Sequence, residues 1–186
     1  MRLNKKQLKE IDELGYIIIP DCFSNEEVNN LRKEMTTVFN EKTEANIIEK
    51  SSGVVRTSMG LHLRSKIFDD LTRHPNFFEP ACQIRGHNLY IQQTKINVKA
   101  AFTGEVWQWH YDFATHFGED GVPKPLALNL HVFLDDVTEF NGPLFFIPKS
   151  HKYGSAPSKL DTVTTNYPLW VVDQRTVKTL VKENGI

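Results

Sequence analysis

The sequence predicts an α+β domain in which helices come first and strands follow. Residues 5–14 and the stretch after Ser24 repeat apolar residues at three- and four-residue steps, which is typical of amphipathic helices. From residue 126 to 135 apolar and polar residues alternate, which indicates a strand. A length of 186 residues suits one domain with a hydrophobic core. We therefore expect a single domain, with a helical cover over 1–85 and strands over 86–186.

Composition narrows the function classes. The chain is 40% hydrophobic and 24% charged, with a net charge of −1 and no basic stripe, so nucleic acid and anionic membranes are poor partners. Cys22 and Cys82 lack metal-binding spacing and are predicted to be free thiols. The sequence has no apolar signal region and no apolar run of membrane-spanning length, which favours a cytoplasmic location.

Local signals mark the helices in order. Leu8, Ile11 and Leu14 form the apolar stripe of a first helix that Gly15 ends. Ser24 begins a second helix, with Glu27 completing a capping box. One or two helices are expected between 65 and 83, the last of them starting near Pro75, and Asp173 caps a final helix. Residues 40–60 are predicted to be a loop or cover segment, in which Arg56 is expected to be solvated rather than near a pocket entrance. Residues 154–169 are predicted to be a polar excursion.

Several segments are predicted to be strands: 16–19, 88–97, 126–135 and 144–147. In the second of these, Gln93, Lys95 and Asn97 share one face, which is either the wet side of a sheet or the lining of a polar site. In the third, Asn129 points either inward to a pocket or outward to water. Phe102-Thr103-Gly104 is expected to turn the chain toward residue 110.

The tripeptide His110-Tyr111-Asp112 carries the main functional signal. Residues two apart on an extended strand point to the same face, so an imidazole and a carboxylate would lie side by side. Such a pair supplies two of the three ligands of the two-His-one-carboxylate site of non-haem Fe(II) oxygenases. The alternative is a strand-end histidine hydrogen-bonded to a nearby aspartate, because so short a spacing also arises by chance.

The surrounding motifs resemble those of the phytanoyl-CoA dioxygenase family, in particular its ectoine-hydroxylase-like branch. The matching segments are GYIIIPDCFSNEEVNNLR (15–32), QTKIN (93–97), WHYDF (109–113), EDGVP (119–123), FNGPLFFIP (140–148) and KSHK (149–152). The resemblance implies a dioxygenase that uses Fe(II), 2-oxoglutarate and dioxygen. It also implies a double-stranded β-helix, a jelly-roll barrel of the cupin type, with the N-terminal helices packed on one sheet.

The resemblance further implies roles for individual residues. His110 and Asp112 would be metal ligands and catalytic residues; Gln93 and Asn97, with Lys95 and Asn129, would contact 2-oxoglutarate. Since related halogenases lack the carboxylate ligand, Asp112 favours hydroxylation. The substrate is expected to be a free amino acid or an ectoine-like compound rather than a fatty acyl-CoA. His116 and Tyr111 depart from the ectoine hydroxylase pattern and leave the substrate's identity open.

The third metal ligand is missing from the motifs above. In the resembling family a second histidine ligand and a 2-oxoglutarate-binding arginine follow the final helix, whereas His151 matches a structural position. We therefore expect an incomplete copy that lacks the closing strands and would not turn over substrate alone. The rival interpretations are a cupin-type Zn or Mn site of other chemistry and a catalytically inactive binding module. The sequence leaves the oligomeric state unknown.

Overall fold

The computed structural model describes residues 1–50, 52–100, 104, 106–164 and 168–186. Its helices and strands, in chain order, are α1 (Lys5–Leu14), α2 (Asn25–Phe39), β1 (Asn46–Ile48), β2 (Val55–Met59), α3 (Leu61–Arg64), α4 (Lys66–Thr72), α5 (Pro75–Arg85), β3 (Lys95–Asn97), α6 (Asp112–Gly118), β4 (Ser158–Asp161), β5 (Leu169–Val172) and α7 (Gln174–Asn184). A single 3-10 turn covers Ser150–Lys152. The α+β class predicted from the sequence is confirmed.

The helix ends follow the local signals in the sequence. At α2, the Ser24 side chain accepts the Glu27 backbone N–H and the Glu27 carboxylate accepts the Ser24 N–H, so the predicted capping box is present. Helix α5 begins at Pro75, and the Asp173 carboxylate accepts backbone N–H groups at the start of α7. These predictions are confirmed because each depends on residues within one helical turn of each other.

The chain divides into two compact units, and the first comprises Met1–Leu3, Ile19–Gly104 and Leu128–Pro143. Its sheet has the order β1-β2-β3, with both pairs antiparallel. Four residues form its buried core, and five partly buried ones pack against them: Leu31, Val38, Leu61 and Phe68, then Phe39, Leu71, Ile96, Val132 and Leu134. The core therefore joins helices α2–α4 to the sheet and to the segment after residue 128.

Arg56 corrects one prediction made from the sequence. It is fully buried on β2, and its Nη1 lies 3.7 Å from Oε1 of Glu49, which is itself buried. A buried guanidinium needs such a partner, because transfer of an unpaired charge out of water is costly. The predicted loop over 40–60 is therefore wrong where β1 and β2 form a strand pair around this ion pair.

The predicted strands are only partly formed. Of residues 88–97, only Lys95–Asn97 pair with a neighbouring strand, and residues 16–19, 126–135 and 144–147 contain no strand at all among their described positions. The alternation predicted for 128–134 nevertheless holds, since Val132 and Leu134 pack on the core while Phe133 is exposed. The pattern thus fixes which face is buried, whereas a strand also needs a hydrogen-bonded partner.

The second unit comprises Asn4–Ile18, Glu105–Ala127 and Leu144–Ile186. Strands β4 and β5 pair antiparallel, from Ser158 opposite Val172 to Asp161 opposite Leu169, which replaces part of the predicted polar excursion. Phe102 and Thr103, predicted to turn the chain, lie outside the described residues. Cys22 and Cys82 are free, as predicted.

The end of α1 is held by a contact that involves Gly15. This residue has φ 89°, and a β-carbon on it would clash with Nδ1 of His151. His151 Nε2 is 3.0 Å from the Asp12 carbonyl, and the Lys149 N–H donates to the Leu14 carbonyl at 2.8 Å. His151 thus has the structural role expected of it. No helix in the described part of the chain is both long and apolar enough to span a membrane.

Candidate metal centre

The backbone of the candidate site is held by β5. His110 forms an isolated antiparallel bridge with Val171, and the Val172 N–H donates to the Trp109 carbonyl at 2.9 Å. Tyr111 continues this extended geometry with φ −127° and ψ 135°, and Asp112 then begins α6. The extended segment therefore ends between His110 and Asp112, where the chain turns into a helix.

The His110 and Asp112 side chains converge. Nε2 of His110 lies 3.6 Å from Oδ1 of Asp112, with side-chain exposures of 28% and 32%. Because Tyr111 is extended, its two neighbours project to the same side. The juxtaposition predicted from the spacing is present, and the pair is half-buried, so it is partly shielded from water and still accessible to a ligand.

One ring nitrogen of His110 forms a hydrogen bond, and this leaves the second ring nitrogen available to bind a metal. Nδ1 lies 2.7 Å from the backbone carbonyl of Gln108. A carbonyl oxygen only accepts, so Nδ1 carries the proton and a neutral ring has its lone pair on Nε2, facing Asp112. A backbone acceptor on the second ring nitrogen is the usual support of a metal-bound histidine.

The pair fits a divalent cation as two of its ligands. Donor atoms bound at about 2.1 Å to one cation lie roughly 3.0–3.4 Å apart in octahedral or tetrahedral geometry, close to the distance between His110 Nε2 and Asp112 Oδ1. Within the described ranges, no group of three His, Cys, Asp or Glu side chains is arranged to hold a metal. In the part of the chain that the structure describes, His110 and Asp112 therefore form a pair of potential donors without a third beside them.

Other histidines have different partners. His116 Nδ1 lies 2.7 Å from the Asp120 carboxylate, one turn farther along, and His131 is exposed in the first unit. A histidine hydrogen-bonded to a nearby aspartate was the alternative interpretation of His110 and Asp112. His116 and Asp120 form a bond of that kind. Their direct bond through Nδ1 contrasts with the arrangement at His110, where Nδ1 is bound to a backbone carbonyl.

The residues predicted to contact 2-oxoglutarate all lie in the first unit. Lys95 and Asn97 occupy β3 and are exposed, on the opposite face from Ile96, which packs on the core. Oδ1 of Asn97 accepts a hydrogen bond from the Thr57 hydroxyl at 3.0 Å. Gln93 and Asn129 are exposed and lie outside any strand. The shared strand face predicted for three of these residues is therefore formed by Lys95 and Asn97.

Three basic residues lie close together near β3: Arg56, Lys95 and Lys99. Burial lowers the pKa of Lys99 to about 8, and the nearby cations Arg56 and Lys95 add to that effect. The main cause is burial, which disfavours charge of either sign. This cluster was visible in the sequence only as the isolated residues Arg56, Lys95 and Lys99.

Sequence reasoning missed the contribution of β5. Trp170 on this strand donates its indole N–H to Oε1 of Glu119 at 3.0 Å, just beyond the end of α6. The Tyr111 hydroxyl donates to the Ala156 carbonyl at 3.0 Å, ahead of β4. The short apolar run Leu169–Val172 after Pro168 is the signal that could have predicted this strand.

Comparison with known proteins yields one family. Residues 11–183 match the phytanoyl-CoA dioxygenase family, PhyH. The chain is 37% identical over 140 residues to the L-proline trans-4-hydroxylase of Streptomyces griseoviridis, across 75% of this chain and 52% of that protein. It is 35% identical over 154 residues to the ectoine dioxygenase of Bordetella bronchiseptica, across 81% of this chain and 50% of that protein.

Solved structures agree with these relatives. The crystal structure of EctD from S. alaskensis with 2-oxoglutarate and 5-hydroxyectoine superposes with a TM-score of 0.85 at 28% identity, covering 98% of this chain and 62% of that one. The chain spans about half the length of the curated relatives it matches.

Proposed function

The chain belongs to the phytanoyl-CoA dioxygenase family, and we propose that it is part of an Fe(II)- and 2-oxoglutarate-dependent dioxygenase that hydroxylates a small metabolite. The observation that carries this proposal is the pair His110 and Asp112, whose Nε2 and Oδ1 atoms lie 3.6 Å apart. The free Nε2 lone pair and the adjacent carboxylate are the donor types of the non-haem iron oxygenase site.

His110 and Asp112 would hold the iron, which together with 2-oxoglutarate and dioxygen supplies the oxidation of an unactivated C–H bond. The chain contributes orientation. The Gln108 carbonyl holds the His110 ring with its Nδ1 proton turned away from Asp112. Asp112 supplies a negative charge that offsets part of the charge of the cation, and the half-burial of both side chains limits competition from water.

Gln93, Lys95, Asn97 and Asn129 are the proposed contacts of 2-oxoglutarate. A dicarboxylate requires charge-assisted hydrogen bonds when it leaves water, and Lys95 is a cation beside the amide group of Asn97 on one strand face. Lys99 is a further cation close to this strand. The amides of Gln93 and Asn129 would add neutral hydrogen bonds.

The proposed substrate is a free amino acid or an ectoine-like compound. The two relatives described above are named for L-proline and for ectoine, both small ring compounds that bear a carboxylate. Tyr111 and His116 differ from the ectoine hydroxylase pattern, which leaves the choice among such compounds open. We also propose that the chain forms part of a double-stranded β-helix.

Anaerobic titration tests the proposal on protein produced from its complete reading frame. Fe(II) and 2-oxoglutarate together are expected to give a visible charge-transfer absorption, because 2-oxoglutarate chelates iron in such a site. His110→Ala and Asp112→Ala should each abolish this absorption. Lys95→Met should retain it but require about tenfold more 2-oxoglutarate, since one charge-assisted hydrogen bond is lost.

Two matched controls accompany these variants. His87 and Lys33 are exposed, and His87→Ala and Lys33→Met should leave the absorption and the 2-oxoglutarate requirement unchanged. Absorption that survives in both His110→Ala and Asp112→Ala would contradict the proposed iron site. Binding of Zn(II) or Mn(II) at the pair without this absorption would favour a metal site of other chemistry.

A further inference from the structure

Each residue from Trp109 to Tyr111 is contacted either by β5 or by Ala156, which lies two residues before β4. Val172 donates its N–H to the Trp109 carbonyl at 2.9 Å, and Val171 forms the bridge with His110. The Tyr111 hydroxyl donates to the Ala156 carbonyl at 3.0 Å. The side chain of Tyr111 alternates with those of its neighbours, so it points away from the ligand pair and toward this backbone.

The same strand also holds the helix that begins with Asp112. Trp170 donates its indole N–H to Glu119 at 3.0 Å. The indole also lies against Gly118, since a β-carbon built there would be 3.5 Å from it. The last turn of α6 is therefore fixed to β5 by one hydrogen bond and one packing contact.

This attachment matters because α6 has little stability of its own. The helix is seven residues long and has no side-chain hydrogen bond at its N-cap, Tyr111. Helices shorter than about 12 residues are marginal in water without tertiary contacts. If the end of α6 were released, its first residue, Asp112, would lose its fixed position relative to His110.

We propose that Tyr111 and Trp170 are positioning residues for the metal-binding pair. Tyr111 anchors the peptide between the two ligands, and Trp170 anchors the helix that carries Asp112. Together they set the separation of the His110 and Asp112 donor atoms. This inference rests on the proposed function, because it assigns a purpose to the geometry of the same pair.

Metal affinity tests the inference directly. Mn(II) binding to the complete protein is measured by the loss of the free Mn(II) signal in electron paramagnetic resonance. Tyr111→Phe and Trp170→Phe keep an aromatic ring and remove only the donor, and each should weaken Mn(II) binding about tenfold. The thermal midpoint of each variant is recorded in parallel, so that loss of folded protein is distinguished from loss of affinity.

Glu119 provides the matched pair of variants. Glu119→Gln retains an oxygen that accepts the Trp170 N–H, and its Mn(II) affinity should equal that of the wild type. Glu119→Ala removes the acceptor and should match Trp170→Phe. A normal Mn(II) affinity in Glu119→Gln beside a reduced affinity in Glu119→Ala indicates positioning. If the contact served only folding, Glu119→Ala would lower the thermal midpoint and leave the Mn(II) affinity of the folded protein intact.

The outcomes separate this inference from the proposed function. If His110→Ala and Asp112→Ala abolish Mn(II) binding while Tyr111→Phe, Trp170→Phe and Glu119→Ala bind as tightly as the wild type, the positioning role is wrong and the metal site stands. If binding is unaffected by His110→Ala and Asp112→Ala, the metal site is wrong and the positioning role is overturned with it.

Discussion

Two apolar groups in the first unit have opposite surroundings. Leu31, Val38, Leu61 and Phe68 are at most 5% exposed and form one core, whereas Leu130, Phe133, Val137 and Phe140 are 42–88% exposed. Both groups are similar in composition. The difference lies in packing partners: helices and a sheet surround the first group, while the segment carrying the second forms no strand. Hydrophobicity alone therefore does not make a core; the segment must also meet a matching surface.

Replacing one phenylalanine by alanine in each group should give the largest difference in the free energy of unfolding. Phe68→Ala should lower the free energy of unfolding by about 3–5 kcal/mol, because it removes a buried ring and leaves a cavity. Phe140→Ala should change it by no more than about 0.5 kcal/mol, since this ring is 88% exposed. Chemical denaturation of both variants measures the difference. Equal losses would mean that Phe140 packs in solution against a surface.

Charged pairs extend the contrast from apolar to ionic side chains. Glu49 and Arg56 are buried and 3.7 Å apart, whereas Lys66 and Asp70 are exposed and 2.8 Å apart. Glu49→Ala leaves a buried guanidinium without this carboxylate and should cost about 3 kcal/mol. Asp70→Ala should cost less than about 0.5 kcal/mol despite the shorter distance. Denaturation midpoints test this, and a larger loss at Asp70 would contradict burial as the deciding factor.

Lys99 has a smaller effect on stability, and this effect depends on pH. The residue lies close to Gly142, in the segment that carries the exposed apolar group. A β-carbon on Gly142 would lie 2.6 Å from that of Lys99, so the segment around Gly142 helps to bury this lysine. Burial lowers the pKa of Lys99 to about 8. The unfolded chain keeps the proton up to about pH 10.4. Between these values the unfolded state binds more protons, so the stability of the wild type should rise with pH.

Lys99→Met removes the buried charge and with it this pH dependence. Below pH 8 the variant should be more stable than the wild type by about 1 kcal/mol, after allowance for solvent screening. Denaturation curves from pH 7 to 10 measure both effects. A wild-type stability that falls over this range, relative to Lys99→Met, would contradict the lowered pKa.

The difference between local and long-range contacts explains which elements the sequence predicted correctly. Ser24 with Glu27, Pro75 and Asp173 act within one helical turn, and the helices they begin were predicted correctly. The strand over 88–97 was predicted too long and the strand over 126–135 is not formed, because pairing depends on residues far away in the chain. Alternation still identified Val132 and Leu134 as core-facing.

In the candidate site too, local geometry was predictable from the sequence and long-range contacts were not. The convergence of His110 and Asp112 follows from one extended residue between them, so a two-residue spacing was enough to predict it. The burial of Arg56 and the supports from Tyr111 and Trp170 depend on partners that no local pattern identifies. Long-range contacts, rather than residue type, account for what was missed.

The contact between Gly15 and His151 has a consequence for how this sequence can vary. A methyl group at position 15 would occupy the space of the imidazole, and the backbone there has a conformation that side chains disfavour. A side chain at position 15 should therefore be tolerated only with a smaller residue at position 151. Libraries that randomise both positions should recover coupled pairs, with glycine retained wherever histidine is present.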